Sequence, residues 1–216
     1  MNSYTTSKNT PTRRIQLTAA ATALALALTG APPRSAHADH DEDVTPPPVP
    51  TTIQVPVGNT AFLKGFAVGT QNYMCLSSGA GYAWTFFGPQ ATLFDDGDKQ
   101  IITHFLSPNP DESGTPRATW QHSKDTSAIW ARVAPFSTPV PVPGAIPWLL
   151  LEVVGDQDGP TGGDKLAETT YIQRLNTAGG VAPATGCATS TDVGKRALVP
   201  YTTDYFFYKA ADGDHD

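Results

Sequence analysis

Two histidines, His104 and His122, fall inside stretches of this chain where polar and apolar residues alternate. Imidazole is the side chain best suited to moving a proton near neutral pH. With Asp95, Asp96, Asp111, Glu112 or Asp125 to orient it, either ring would make a base for hydrolysis. Both rings plus a carboxylate from Asp95–Asp98 would make a facial metal set. The two are too far apart in sequence for local ligand spacing. Each also shares a strand face with an apolar neighbour, His104 with Ile102 and His122 with Trp120. The competing account is that each ring packs on an aromatic and bonds a backbone carbonyl or a nearby acid. Asp95, Asp96 and Asp98 surround Gly97 without the D-x-D-x-D-G array of a calcium loop, so a hairpin turn is the simpler reading. The Asp156-x-Asp158-Gly159 run reads the same way. Glu152 interrupts an apolar strand and is either a general acid in a cleft or the partner of Arg132, Arg174 or Arg196; the ion pair is preferred. No metal site and no cofactor is assigned.

Aromatic residues offer a second kind of chemistry. Tyr73, Trp84, Trp120 and Trp130, with Tyr82 and Trp148 nearby, are numerous enough to stack on the apolar face of a sugar. Such a platform needs exposed rings; buried rings serve as core. The templates of common enzymes are missing from the sequence. It has no G-x-G-x-x-G after a strand, no G-K-[ST] phosphate loop, no G-x-S-x-G elbow and no H-E-x-x-H helix.

The elements that must position these residues have period two. Tyr82-Trp84-Phe86, Ile101-Thr103-Phe105, Ala118-Trp120-His122, Leu149-Leu151-Val153 and Tyr201-Tyr205-Phe207 each share a face. Alternation bounded by Gly, Pro, Asn and Asp predicts strands. Turn signals recur at Gly79-Ala80-Gly81, Asp95-Asp96-Gly97-Asp98, Pro108-Asn109-Pro110 and Gly179-Gly180. Ala167–Asn176 has the length of a short helix, but Thr169, Thr170, Tyr171 and Ile172 argue for a strand. The expected fold is all-β, a single-domain antiparallel sandwich or barrel of nine or ten strands. It has long loops, at Gly155–Asp164 and Gly179–Gly186, and at most one or two short helices.

The domain order follows from composition. Arg13 and Arg14 precede twelve uncharged residues, Leu17–Leu28, and Ala36-His37-Ala38 closes the segment. This predicts a secretory signal peptide over 1–38, cleaved after Ala38. Twelve helical residues span roughly 18 Å, against about 30 Å of hydrocarbon, so the segment is no membrane span. An acidic, proline-rich linker over 39–51, a β-domain over 52–210 and an acidic tail over 211–216 are expected to follow. Cleavage removes Lys8, Arg13, Arg14 and Arg34 and no acid, so a net charge of −6 becomes −10. That charge repels phosphate backbones and excludes nucleic acid as a natural partner. Secreted or periplasmic, Cys75 and Cys187 would most simply form a disulfide, the alternative being two buried free thiols.

Several phrases carry a resemblance. Gly69-Thr70-Gln71-Asn72-Tyr73-Met74-Cys75 is one, and Trp84 to Asp96 is another. Ile102-Thr103-His104-Phe105, Ala118 to Ser123, Trp148 to Glu152, Gln173 to Gly180 and Val199-Pro200-Tyr201 complete the set. Together, from about Pro50 to Lys209, they resemble the exported bacterial and fungal family called domain of unknown function (DUF) 3455. The resemblance implies a secreted all-β protein and brings no defined catalytic residue. Some relatives are labelled malate dehydrogenase, a label that the missing dinucleotide fingerprint argues against. The expected function is a non-catalytic β-domain that binds a ligand or surface, glycan or envelope material. The alternative is a secreted hydrolase or metal-dependent enzyme using His104 and His122 with an Asp.

Overall fold

A computed structural model describes residues 44–79 and 81–211. The expected signal peptide, the first residues of the expected linker and residues 212–216 of the acidic tail lie outside the described residues. Nine strands follow in order: β1 (Asn59–Ser78), β2 (Gly81–Phe94), β3 (Gln100–Asn109), β4 (Thr115–His122), β5 (Ala128–Val133), β6 (Val140–Val142), β7 (Ala145–Gln157), β8 (Thr169–Gly179) and β9 (Arg196–Ala210). Single 3-10 turns at Thr51–Ile53, Pro110–Glu112 and Ser190–Asp192 are the helical elements of the described residues. The β-branched run Thr169, Thr170, Ile172 lies in β8, a strand rather than a helix.

The strands pair antiparallel with their chain neighbours, and β9 returns to β1, so eight of them close into an up-and-down barrel. The short β6 adds to the first residues of β7, ahead of the part of β7 that β5 covers. Closure needs a strongly coiled β1. Glycine makes that possible: a Cβ at Gly69 would lie 2.1 Å from the Gln90 carbonyl oxygen and 2.6 Å from the Ala91 Cβ. Bulges at Asn72/Tyr73 and Leu93/Phe94 add further bend.

Alternate residues of all eight barrel strands point inward. Ala67, Leu93, Ile102, Trp120, Ile129, Leu151, Ile172, Tyr205 and Phe207 form the buried luminal core. The intervening residues of β7, β8 and β9 point outward, and they too are covered. Leu150, Leu175, Phe206 and Tyr208 pack with Ile53, Val44, Val49 and Val55. Residues 44–51, expected as an unpacked linker, therefore belong to the fold. Their valines and the neighbouring Ile53 form a strap over an apolar outer face, pinned where Gln173 Nε2 donates to the Ile53 carbonyl at 2.8 Å. Proline content hid this, because it removes backbone donors without preventing side-chain packing.

One end of the barrel is sealed. The β4–β5 turn carries Asp125, whose carboxylate accepts from Ser127 N (3.1 Å), Ser127 Oγ (2.8 Å) and Lys165 N (2.8 Å). Ser127 Oγ in turn accepts from Leu166 N, and the Leu166 side chain is fully buried in the luminal core. The loop after β7 thus inserts a leucine at this end. Its glycines allow the approach: a Cβ at Gly159 would lie 1.8 Å from the Asp125 carbonyl oxygen.

Candidate functional site

The opposite end of the barrel is open. Leu106, Ala118, Ala131, Val133 and Leu149 wall a cavity of about 300 Å³, with His104, Trp120, Arg174, Tyr205 and Gln71 among its other lining residues. That volume sits at the small end of the ~300–1,000 Å³ typical of small-molecule sites. An eight-stranded barrel is just wide enough for its interior to be filled by side chains or to hold one small ligand. Space arises here because Ala118 and Ala131 face each other across β4 and β5. Phe86, Leu106 and Val133 ring the mouth and are 47%, 40% and 42% exposed, large apolar side chains left in water.

His104 is held in one state by its surroundings. Its ring stacks on Trp120 with centroids 4.1 Å apart and meets the edge of Tyr205 at 5.3 Å. Nδ1 lies 2.8 Å from the Thr119 carbonyl oxygen, which can only accept, so Nδ1 carries the proton. Nε2 is then the lone-pair nitrogen. Burial holds the pKa down to about 3; the Thr119 bond opposes the shift and the Arg174 charge adds to it. The ring is therefore neutral at any physiological pH.

Arg174 reaches the lumen from β8, between Leu149 on β7 and Tyr205 on β9. Nε and Nη2 both donate to the Pro147 carbonyl, at 3.1 and 2.8 Å. Arg117 and Arg132, the other lining arginines, are neutralised by Glu112 and Glu152, at 2.6 and 2.7 Å. Among the described residues no carboxylate pairs with Arg174. Its charge acts on Tyr73, Tyr201 and Tyr205, where burial raises each hydroxyl pKa and Arg174 opposes the rise. Trp120 Nε1 is buried with no hydrogen-bond partner, and Gln71 Nε2 and Tyr201 Oη, near enough to each other and to Tyr205 to interact, meet no partner in good hydrogen-bond geometry. Gln71 and Trp120 line the cavity; Tyr201 stands behind Gln71.

The other residues singled out from sequence lie elsewhere. His122 Nδ1 sits 2.9 Å from Asp125 Oδ1 at the sealed end, where that carboxylate organises the β4–β5 turn. No group of three or more His, Cys, Asp and Glu side chains converges among the described residues, so the shared metal site of His104 and His122 is not assembled. Asp95 caps its own turn by accepting from Gly97 N and Lys99 N, and Asp96 meets Lys64 at the surface. Glu152 accepts from Arg132 Nε at 2.7 Å. Of the four candidate stacking rings, Tyr73, Trp120 and Trp130 are buried. Tyr73 donates to the Gly180 carbonyl and Trp130 to Ser107 Oγ. Trp84, half-buried, donates to the Thr185 carbonyl beside the loop leading to Cys187. These rings do not form one exposed platform. Cys75 and Cys187 are joined as a disulfide, Cα atoms 5.5 Å apart, tying that loop to β1. Sequence reasoning missed Gln71, and saw Arg174 only as a partner for Glu152. The available signal was period two, which puts a charged Arg174 on the inward face shared by Ile172.

Comparison with known proteins adds the family and little more. No curated protein and no solved structure matches the chain. A family model described as "Protein of unknown function (DUF3455)" matches residues 56–209, from just before β1 to the last residue but one of β9. The phrases that flank the cavity, including those carrying Gln71, His104, Trp120 and Arg174, all fall inside that span, and the chain belongs to the DUF3455 family.

Proposed function

We propose that this protein is an exported, non-catalytic binding protein that takes a small molecule into the open end of its barrel. The observation that carries the reading is the cavity itself: a lumen open at one end, with the buried donors Trp120 Nε1 and Gln71 Nε2 in its wall in no good hydrogen-bond geometry. Unpaired buried polar groups cost about 1–3 kcal/mol each, a cost that a ligand's polar atoms remove. Export is supported by the formed disulfide, which persists in oxidising compartments. No helix of the described residues is long and apolar enough to cross a membrane.

Binding is favoured over the hydrolase alternative by a magnitude. A general base works best with a pKa near the operating pH. His104, at about 3, accepts a hydrogen bond well and a proton poorly. His122 and Asp125 have the right contact for a base and its orienter, but that carboxylate is spent on Ser127 and Lys165. As for the ligand, the walls are mostly apolar, with polar groups gathered deep inside. This suits a compact molecule with one polar end, of envelope or environmental origin, better than a glycan, whose hydroxyls need partners all round.

Benzyl alcohol is a suitable neutral probe. Titrated into the disulfide-intact mature protein and followed by proton–nitrogen NMR, it should produce saturable shifts in His104, Trp120 and Arg174. Ala131→Phe and Ala118→Phe, each placing a ring in the cavity, should abolish them. Absence of saturable shifts, or shifts that survive in both folded variants, overturns the reading.

A further inference from the structure

We propose that the lumen selects small carboxylates, with the acid group seated on Arg174 and the apolar body lying between Leu106, Leu149 and the stacked His104–Trp120 pair. This rests on the luminal binding reading and names the class of ligand. The argument starts from charge. A guanidinium partly withdrawn from water is normally paired with an acid. This chain has an excess of acids, 20 against 14 bases, and pairs both other lining arginines. Arg174 alone among the lining arginines has no carboxylate among the described residues. It is braced instead by two donations to one backbone carbonyl, which fix its plane and use Nε and Nη2, and it also interacts with the Tyr205 hydroxyl beside it. Nη1 is used by neither bond. Such bracing presents a planar fork ready for an incoming carboxylate, the partner that guanidinium geometry fits best.

The remaining groups agree with that polarity. Gln71 Nε2 and Trp120 Nε1 are hydrogen-bond donors without acceptors, on side chains 4% and 1% exposed that line the same cavity. Tyr201 Oη, behind Gln71, adds a third group without a partner in good geometry. Gln71 Nε2 and Trp120 Nε1 are donors that a carboxylate's oxygens can satisfy. A cationic ligand would meet the uncompensated Arg174 charge in a low-dielectric space and is rejected on that ground. The volume favours a small body: about 300 Å³ suits a single-ring or short-chain acid.

The test compares benzoate with benzyl alcohol, which share a ring and differ in the charged head. Both are titrated by NMR into the disulfide-intact mature protein at pH 7 and low salt. Benzoate is expected to bind at least tenfold more tightly. In Arg174→Gln the ratio of the two affinities should fall to about one. In Arg174→Lys, which keeps the charge and loses the fork, benzoate should remain preferred by a smaller ratio. If benzyl alcohol binds and benzoate binds no better, the carboxylate assignment is overturned while the luminal reading stands. If the benzoate preference survives Arg174→Gln in a folded protein, the assignment is likewise overturned. If neither probe binds, both readings fall together.

Discussion

Replacing Gln71 by methionine should make the protein more stable and a poorer binder. The chain length and shape of the side chain are kept, and the change removes an amide whose Nε2 is buried without a partner in good geometry. A satisfied hydrogen bond contributes about 0.5–1.5 kcal/mol, so a substitution that broke one would destabilise by that amount. An unsatisfied buried group is a penalty of about 1–3 kcal/mol, so removing it should give a gain. Part of that gain is lost to imperfect packing of the new side chain, and a net stabilisation of about 1 kcal/mol is expected. In a domain of this size it raises Tm by about 2–4 °C. Urea unfolding with the disulfide intact measures it directly, as a higher midpoint at an unchanged slope. Tyr201→Phe removes the neighbouring unpartnered hydroxyl and should behave in the same direction. Benzoate affinity of Gln71→Met should fall by about two- to twelvefold, the worth of one hydrogen bond. A destabilisation of 1 kcal/mol or more in both variants would refute the reasoning, because it would mean that these groups are already engaged within the protein and the floor has nothing to offer a ligand.

Three further outcomes follow from the contacts described. Below pH 6.5 the unfolded chain protonates His104 while the folded chain, with a pKa of about 3, refuses the proton, so stability should fall with acid by up to about 1.4 kcal/mol per pH unit from this group; His104→Phe should flatten the slope between pH 6 and 4, and parallel wild-type and variant curves in urea titrations would deny it. Asp125→Ala strands the Ser127 and Lys165 amides, costs about 2–4 kcal/mol and should open the 158–168 loop to proteolysis. In wild type the same carboxyl is pushed up by burial and brought below its ordinary value by its hydrogen bonds, so its contribution is full above the unfolded pKa of about 4 and fades as pH falls through the depressed folded value. Reduction of the disulfide, or the Cys75→Ser/Cys187→Ser double variant, should lower stability by about 2–5 kcal/mol, read as a drop in urea midpoint.

Much of this barrel can be read from its alternation. Ala118 to His122 and Tyr201 to Phe207 lie in strands because about half of each run is buried, and Tyr82 to Phe86 keeps the same alternation with Tyr82 and Trp84 half-buried. The longest strand is marked in the sequence only near Tyr73 and Cys75, at its C-terminal end. Gly65, Ala67 and Gly69 occupy its inward positions, and without bulky side chains there the period disappears, although those small residues are what let β1 coil. The choice between sandwich and barrel turned on the β1–β9 pairing, which joins residues about 140 apart and leaves no local mark. The strap over β7–β9 was hidden by prolines among Val44, Val49 and Ile53. At the site, His104 stands out in the sequence for its chemistry, and its stacking on Trp120 follows from a register that places the two directly opposite. Gln71 and Arg174 are ordinary polar residues in sequence. They meet at the floor of the proposed site only when closure brings β1 and β8 to opposite sides of β9.

The pairing of the first strand with the last has a kinetic corollary. Apart from that seam, every luminal pairing joins strands that are adjacent in the chain or separated only by β6, so hairpins can zip up in order as the polypeptide emerges. β1 cannot complete its second edge until β9 arrives. In the interval a twenty-residue ribbon bearing Phe66 and Val68 on its outer side is open to capture by another nascent copy. The cystine links the far end of that ribbon to the segment leading into β9. Oxidation before the seam shuts would tether the two edges and shorten their search, which makes thiol oxidation a gatekeeper of yield as well as a clamp on the finished molecule.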